Sequence, residues 1–328
     1  MSFKNDMRFL KRNSTNIARI LLLAVFLYLA GLAIWLDFAF DPLSQWVVSS
    51  STPGRLLAHA LINVAPELAG IVIGVVTIDY LNERRQDEQL KRQLILQMGS
   101  GHNDVTDIAI RTLDAYGWLK DGSLEGANLK GANLQDANLS GAYLKGVKLP
   151  MSDLAGVHLE GANLTGSYLM LSNLKKANLN EADLQEADLT LANLEGASLA
   201  RCCLRKARLT GADLIKLYLK EVDFFNADLE RANLREAFLG GANLEETNLV
   251  NADLTRAMLE GTNLKGANLT GAILAGANLR SADLTGVKNW EAEQLLEALE
   301  LSGAIMPDGR KYEEWIKDFR TGENSESI

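Results

Sequence analysis

The sequence predicts an all-β solenoid, a four-sided β-helix of about eight coils, on three observations. From Leu124 to Leu284 every fifth residue is Leu, Phe224 alone excepted, which makes 33 consecutive units. The residue two before each Leu is small, being Ala in 22 units, and the one between is Asn or Asp in 21 units. Charges at the remaining positions alternate in sign over 20 residues, or four units.

A period of five suits neither regular element. On an α-helix a step of five turns the side chain by about 140° and sprays the leucines around the cylinder. On a plain strand an odd step sends alternate leucines to opposite faces. A single buried stripe requires the chain to bend once in every five residues. The small residue and the Leu then point inward, the Asn or Asp outward, and the bend falls on the two residues after the Leu, where Gly is frequent.

The charges count the sides. Residues one coil apart lie about 4.8 Å from each other in neighbouring strands, where opposite charges help and like charges hurt. Pairing each turn residue with its counterpart four units on gives nine opposite pairs and no like pair: Glu125–Lys145, Lys175–Glu195, Glu181–Arg201, Glu186–Lys206, Arg201–Glu221, Lys216–Glu236, Glu236–Arg256, Glu245–Lys265 and Glu260–Arg280. Three units on gives five opposite and nine like, and five units on gives five and four. The coil therefore has four sides, and the rod is about 40 Å long.

Runs such as "GANLKGANLQDANL" and "EADLQEADLT" follow the motif A(D/N)LxG, and over residues 121–286 the chain closely resembles the pentapeptide-repeat family. The resemblance implies a right-handed quadrilateral β-helix, in agreement with the four-sided count. It implies little about activity, since most members have no assigned biochemistry.

The elements outside the rod are read in order. Residues 1–16 are a basic lead with Lys4, Arg8, Lys11 and Arg12. Residues 17–36 are apolar apart from Arg19 and long enough to span a bilayer. A cleaved signal would show a shorter apolar core and a small-residue cleavage site, so an anchor is expected. A second apolar stretch, Pro66–Leu81, gains spanning length by extending backward. Basic residues before the first stretch and after the second (Arg84, Arg85, Lys91, Arg92) predict a transmembrane helical hairpin over residues 17–81. That topology makes the lipid bilayer a partner and the plasma (inner) membrane the location, multi-pass, with N-terminus and β-helix cytoplasmic. Glu67 is the one acid well inside an apolar stretch. Such residues handle protons or ions, although "APE" also reads as the first turn of a helix, where a carboxylate suits the dipole.

Residues 82–120 read as a charged stalk with Leu90, Leu94 and Met98 along one side, then a lid helix carrying Val105, Ile108, Ala109, Thr112, Leu113 and Tyr116 on one face. The Leu stripe suits local packing or a second copy. Residues 287–320 are expected to form a helical cap through Leu295, Leu296 and Leu299, then Tyr312, Trp315, Ile316 and Phe319, because an open β-helix end exposes unpaired edge and core. The tail 321–328 is expected to be disordered.

No catalytic, cofactor or metal site is expected. The interior is filled by Leu and Ala, the histidines His59, His102 and His158 lie in different segments, and "GSGH" lacks the Lys-Ser/Thr of a phosphate loop. Adjacent Cys202 and Cys203 read as two reduced thiols. The outward Asn and Asp residues read as turn caps. A membrane-anchored, non-catalytic scaffold follows, with an unknown protein partner or a homodimer and no nucleic acid or small-molecule substrate. The alternative is a DNA mimic, as some soluble pentapeptide-repeat proteins are when they bind DNA gyrase. A mimic needs a dense field of one sign, whereas residues 121–286 hold 21 acids and 16 bases. A regulatory rod on a transporting or sensing hairpin rests on Glu67 alone. Two surface columns are candidate protein contacts. Met151, Leu171 and Leu191 stand in one turn column with Pro150 and Met170 beside them, open to a partner or to the chain's own stalk or lid. Tyr218, Phe238 and Met258 replace the outward polar ladder on one side, as a local stacking ladder, a homodimer seam or the foot of a larger interface.

Overall fold

In the computed structural model, residues 53–321 are described, with side chains from residue 74 to residue 319. Two compact units result, Met1–Glu88 and Gln89–Ile328. The helices are α1 (Pro53–Met98), α2 (Asn103–Tyr116), α3 (Ala292–Leu296) and α4 (Tyr312–Thr321).

The solenoid closes in four sides. Single-residue parallel bridges join each outward residue to the one 20 positions on, so the first face stacks Asn128, Lys148, Tyr168, Asp188, Arg208, Asp228, Asn248, Asn268 and Lys288. The second, third and fourth faces start at Asn133, Asn138 and Tyr143. Every Leu of the beat is buried, Phe224 included, and the small residues lie beside them.

Each corner is a tight turn. Around Leu129 the Ala132 N–H donates to the Leu129 carbonyl at 3.0 Å, with Gly131 between them at φ 68°. A positive φ at that position identifies a type II turn, which favours Gly. Charged and apolar residues occupy it too, among them Glu181, Arg201 and Leu171 at φ 58°, 57° and 57°. The outward Asn or Asp supports the turn from the side: the Asn163 Oδ1 accepts from the Thr165 N–H at 3.0 Å, and the Asp183 Oδ1 from the Gln185 N–H at 3.0 Å. The polar column is thus part of the folding code.

Five of the nine ladder pairs form as ion pairs: Glu125–Lys145, Lys175–Glu195, Glu181–Arg201, Glu186–Lys206 and Lys216–Glu236. Lys265 turns from Glu245 to Asp283 at 3.1 Å, and Arg205 and Arg235 likewise reach the outward Asp223 and Asp253 of the next coil. Cross-coil bonding also loosens at one place. Asp213 N–H meets the Ala192 carbonyl at 3.4 Å, whereas Asp228 N–H meets that of Ala207 at 2.9 Å. Leu217, four residues on, is buried at a position that is Ala in most units.

Both ends differ from expectation. In α2 the buried face is Thr106, Ala109, Ile110 and Leu113, one step round from the expected stripe, and Val105, Ile108 and Tyr116 are exposed. Thr106 is drawn in because its hydroxyl reaches the Met98 carbonyl at 3.5 Å. From Gln89 on, α1 packs onto the same end: Leu94 and Met98 are buried, Leu90 packs against the core, and Lys91 lies 3.5 Å from Asp121 and 5.0 Å from the Trp118 ring centre. The Leu stripe packs locally. At the other end the expected long cap helix is only α3. The chain then rejoins the solenoid, with Glu300 bridging Asn278 and Ile305 bridging Asp283. "LELSGAIMP" carries two further units, displaced by two residues, so Leu301, Ala304 and Met306 are buried whereas Leu299 is exposed. The Gln294 amide of α3 donates to the Leu269 and Ala272 carbonyls at 2.9 and 2.6 Å, and Trp315 of α4 is buried beside Trp290 and Phe319.

The expected transmembrane hairpin gains no support here. Among the described residues no helix is long and apolar enough to cross a membrane. Residues 1–36, the side chain of Glu67 and residues 322–328 lie outside the described part. The second apolar stretch and the stalk, expected as elements meeting at residue 81, are one helix, since residues 82–98 contain neither Gly nor Pro. Val75, Ile78 and Leu81 are exposed on it.

Inward hydroxyls make the packing testable. Ser152, Thr247 and Thr262 donate to carbonyls of the previous coil at 3.0, 3.0 and 3.1 Å, whereas the buried Ser167 hydroxyl has no partner. Ser152→Ala should cost about 1 kcal/mol and Ser167→Ala should be neutral or stabilising, measured by denaturant unfolding. Arg201→Glu, on the surface, should cost at most about 1 kcal/mol per lost pair and less in high salt. Leu204→Asp places an unpaired carboxylate in the core and should prevent folding. Equal effects from the last two would reject the inside–outside assignment.

Candidate protein-contact surfaces

The side chains that break the repeat do so on its outside. On the third face the backbone fixes a ladder of Tyr218, Phe238 and Met258, since Leu219 N–H donates to the Phe238 carbonyl and Leu239 N–H to that of Met258, both at 2.8 Å. The Tyr218 and Phe238 ring centres are 6.5 Å apart, tilted by 40°. Contact along the column leaves the outer surface open: the three side chains are 50%, 40% and 49% exposed. Without Asn or Asp at these positions, the next turns lose their side-chain acceptor.

The second candidate column lies on the corner between the first and second faces. Met151, Leu171 and Leu191 occupy the positive-φ position in successive coils, at φ 57°, 57° and 55°, and all three are exposed, as is Met170. Among the described residues of the unit from Gln89 on, α2 and the end of α1 leave these side chains exposed. A left-handed conformation costs a residue with a Cβ about 1–2 kcal/mol. Leu191 also leans over Gly211, where a Cβ would come within 2.9 Å of its Cδ2. The structure adds Tyr168, exposed on the first face two residues before the exposed Met170 and Leu171, with the buried Leu169 between them. Sequence inspection of that face's column, where Tyr168 stands between Lys148 and Asp188, would have found it.

No chemistry gathers at these surfaces. Among the described residues no group of His, Cys, Asp and Glu could hold a metal ion. Burial pushes the Cys202 thiol far above its ordinary value and raises that of Cys203, so neither is a ready thiolate. Beside the third face, the Lys175 ammonium, by hydrogen bond and charge, holds the Glu195 carboxyl below its ordinary value.

These features define a class of protein, a repeat rod whose information lies on its faces. The model for pentapeptide repeats matches residues 119–150, 152–190, 192–231, 227–266 and 247–286, about half of the sequence. The chain belongs to the pentapeptide-repeat family, whose right-handed β-helix the four-sided coil fits. It is similar to HetL, a protein involved in heterocyst differentiation regulation from the cyanobacterium Nostoc sp. strain PCC 7120, at 33% identity over 62% of this chain and 98% of that one, with a TM-score of 0.45. It is also similar to QnrB1, a plasmid-mediated fluoroquinolone resistance protein, at 21% identity over 61% and 90%, with a TM-score of 0.40. A third similar chain, alr5209 from Nostoc PCC 7120, is 38% identical over 29% and 69%, with a TM-score of 0.22. Among curated proteins none matches.

Replacing Tyr218, Phe238 and Met258 together by Asn restores the motif and gives the N–H groups of residues 220, 240 and 260 an acceptor. Thermal unfolding of the triple variant should lie within about 0.5 kcal/mol per site of the parent. A large loss would make the ladder structural and remove it as a contact surface.

Proposed function

We propose that this protein is a non-catalytic interaction scaffold, held at the inner membrane by residues 17–81 and displaying its β-helix in the cytoplasm. The observation that carries the scaffold role is the ridge of Met151, Met170, Leu171 and Leu191 with Tyr168. Large apolar groups stand exposed on a rod whose other corners are mainly polar or Gly, and three of them occupy a conformation that favours Gly. Folding does not require such a choice; a partner with an apolar surface does. The apolar run 17–36, the basic flanks of both stretches and the exposed Val75, Ile78 and Leu81 of α1 support the tether.

Charge weighs against a DNA mimic. The ladders pair each acid column with bases, as at Glu181–Arg201 and Lys216–Glu236, so no face offers a continuous negative stripe. A supercoiling assay with a type II topoisomerase should show no inhibition.

Replacing Met151, Leu171 and Leu191 by Gly separates contact from folding. Relief of the positive-φ cost should leave stability unchanged or raised, while proteins cross-linked to the parent chain in cells should be lost. Full retention of those proteins by a folded variant would remove the ridge from the proposal. For the tether, a Cys introduced at Ser50 should react with an impermeant maleimide in intact cells, and one at the exposed Ser281 should not. Reaction at 281 would overturn the topology.

A further inference from the structure

The third face is bordered by two corner columns whose charges are related coil by coil. On the corner before the face stand Lys175 and Lys176 in the coil of Asn178, Glu195 in that of Ser198, and Arg256 in that of Met258. On the corner after it, the same coils carry Glu181, Arg201 and Glu260. All these residues are exposed except Lys175, which is half-buried. The remaining coils are neutral on at least one side. In the coil of Tyr218, Lys220 pairs with Glu221 at 3.6 Å, and in that of Phe238, Arg235 with Glu236 faces Gly240 and Gly241. Coil by coil, the third face thus has three opposite pairs of borders and no like pair.

No other face has this relation. The first face has one opposite pair, Glu125 against Lys130, and the second has one, Lys130 against Asp136. The fourth has one, Glu260 against Lys265, and two like pairs, Glu181 against Glu186 and Arg201 against Arg205 with Lys206. Opposite borders in the same coil lie on different corners of the rod, with the Leu and outward residue of the third face between them. They meet when a second copy is laid face to face about a two-fold axis parallel to the rod, which carries each corner onto the other corner of the same coil. An antiparallel pair centred on Phe238 does the reverse. It sets Lys216 against Arg256 and Arg201 against Arg280, two like pairs, and gains no opposite net pair.

We propose that the third face is the seam of a parallel homodimer, in which Tyr218, Phe238 and Met258 stack on their own counterparts and the two borders interlock as opposite charges. It rests on the scaffold reading only in taking this face as an interaction surface. Lys176 then faces Glu181 of the second copy, Glu195 faces Arg201, and Arg256 faces Glu260. The Lys175–Glu195 and Glu181–Arg201 ladders within each chain become two facing quartets. The seam runs about 24 Å from Asn178 to Asn278. A single face of that length, with three apolar side chains, is a short contact held largely by exposed charges, so association is salt-sensitive and needs high local concentration.

The test uses the full chain in cells, with Cys203→Ser removing the accessible native thiol. Copies bearing K176C and copies bearing E181C, differently tagged, are co-expressed and treated with a short bis-maleimide. A mixed 176–181 product is expected, with little product from either variant alone. Reversing one border with E181K, R201E and E260K keeps the 181–201 pair within the chain and sets like charges across the seam. Dimer yield, read by a non-specific cross-linker, should fall about tenfold or more. Adding K175E, K176E, E195K and R256E should restore it. Phe238→Asn, which keeps the repeat, should weaken the dimer without the charge changes. The proposal is overturned by absence of the mixed product, by a reversed border that leaves the yield unchanged, or by a third face cross-linked only to another protein. The triple Gly variant of the ridge should keep the 176–181 product, so loss of the ridge's partners and loss of the dimer are separate results.

Discussion

Everything in this molecule depends on a turn repeated at every fifth residue. The Leu carbonyl closes a type II turn, the residue before the next small position takes a positive φ, and the outward Asn or Asp accepts the turn's free N–H. Without the turn a period of five buries nothing in common; with it, every Leu faces one axis. The cost is paid in conformation, since residues with a Cβ, such as Glu181 and Arg201, must sit where Gly is at ease. The parallel bridges offset it by joining each outward residue to the coils on either side.

A core filled by Leu and small residues leaves the charged side chains on the outside, where the rod meets its surroundings. The stacking makes those side chains into rulers. A substitution at one outward position gains its neighbours from residues 20 before and 20 after, and the Tyr218, Phe238 and Met258 ladder is continuous although its members are far apart in sequence. Charges act under the same rule, and at the exposed corners each pair is worth little alone. Their value lies in sign, which decides what can approach a face.

The regular part of the fold was legible because a short-range rule, the period, and a long-range rule, the 20-residue alternation of charge, point to the same coil. Legibility ended where the period ended. In α2 the apolar residues form two adjoining stripes, and choosing between them needed the Met98 carbonyl that draws Thr106 inward. At the C-terminal end, helix-forming Glu, Leu and Ala hid two strands. Strand bonding to Asn278 and Asp283 outweighs helix propensity in "LELSGAIMP", and only the spacing Leu301, Gly303, Ala304 and Met306 betrays the motif. The apolar ridge was visible as a column, but its exposure was not. Whether α1 or α2 covered it depends on how those helices end, which no local pattern fixes.

The two apolar surfaces occupy different parts of the square section. The ridge lies on the corner between the first and second faces, whereas the ladder lies on the third face, whose borders are the other two corners it touches. A parallel pair joined through third faces therefore leaves the ridge uncovered on both copies. Two-fold symmetry parallel to the rods also holds the two ridges at the same height and keeps the N-terminal ends of the two β-helices together. Binding at one ridge would then place the second close to any partner that is itself repeated or membrane-bound. Two weak contacts of this kind multiply through effective concentration without any new interaction. In the proposed dimer, a short seam and a short ridge, each small alone, reinforce one another for that reason.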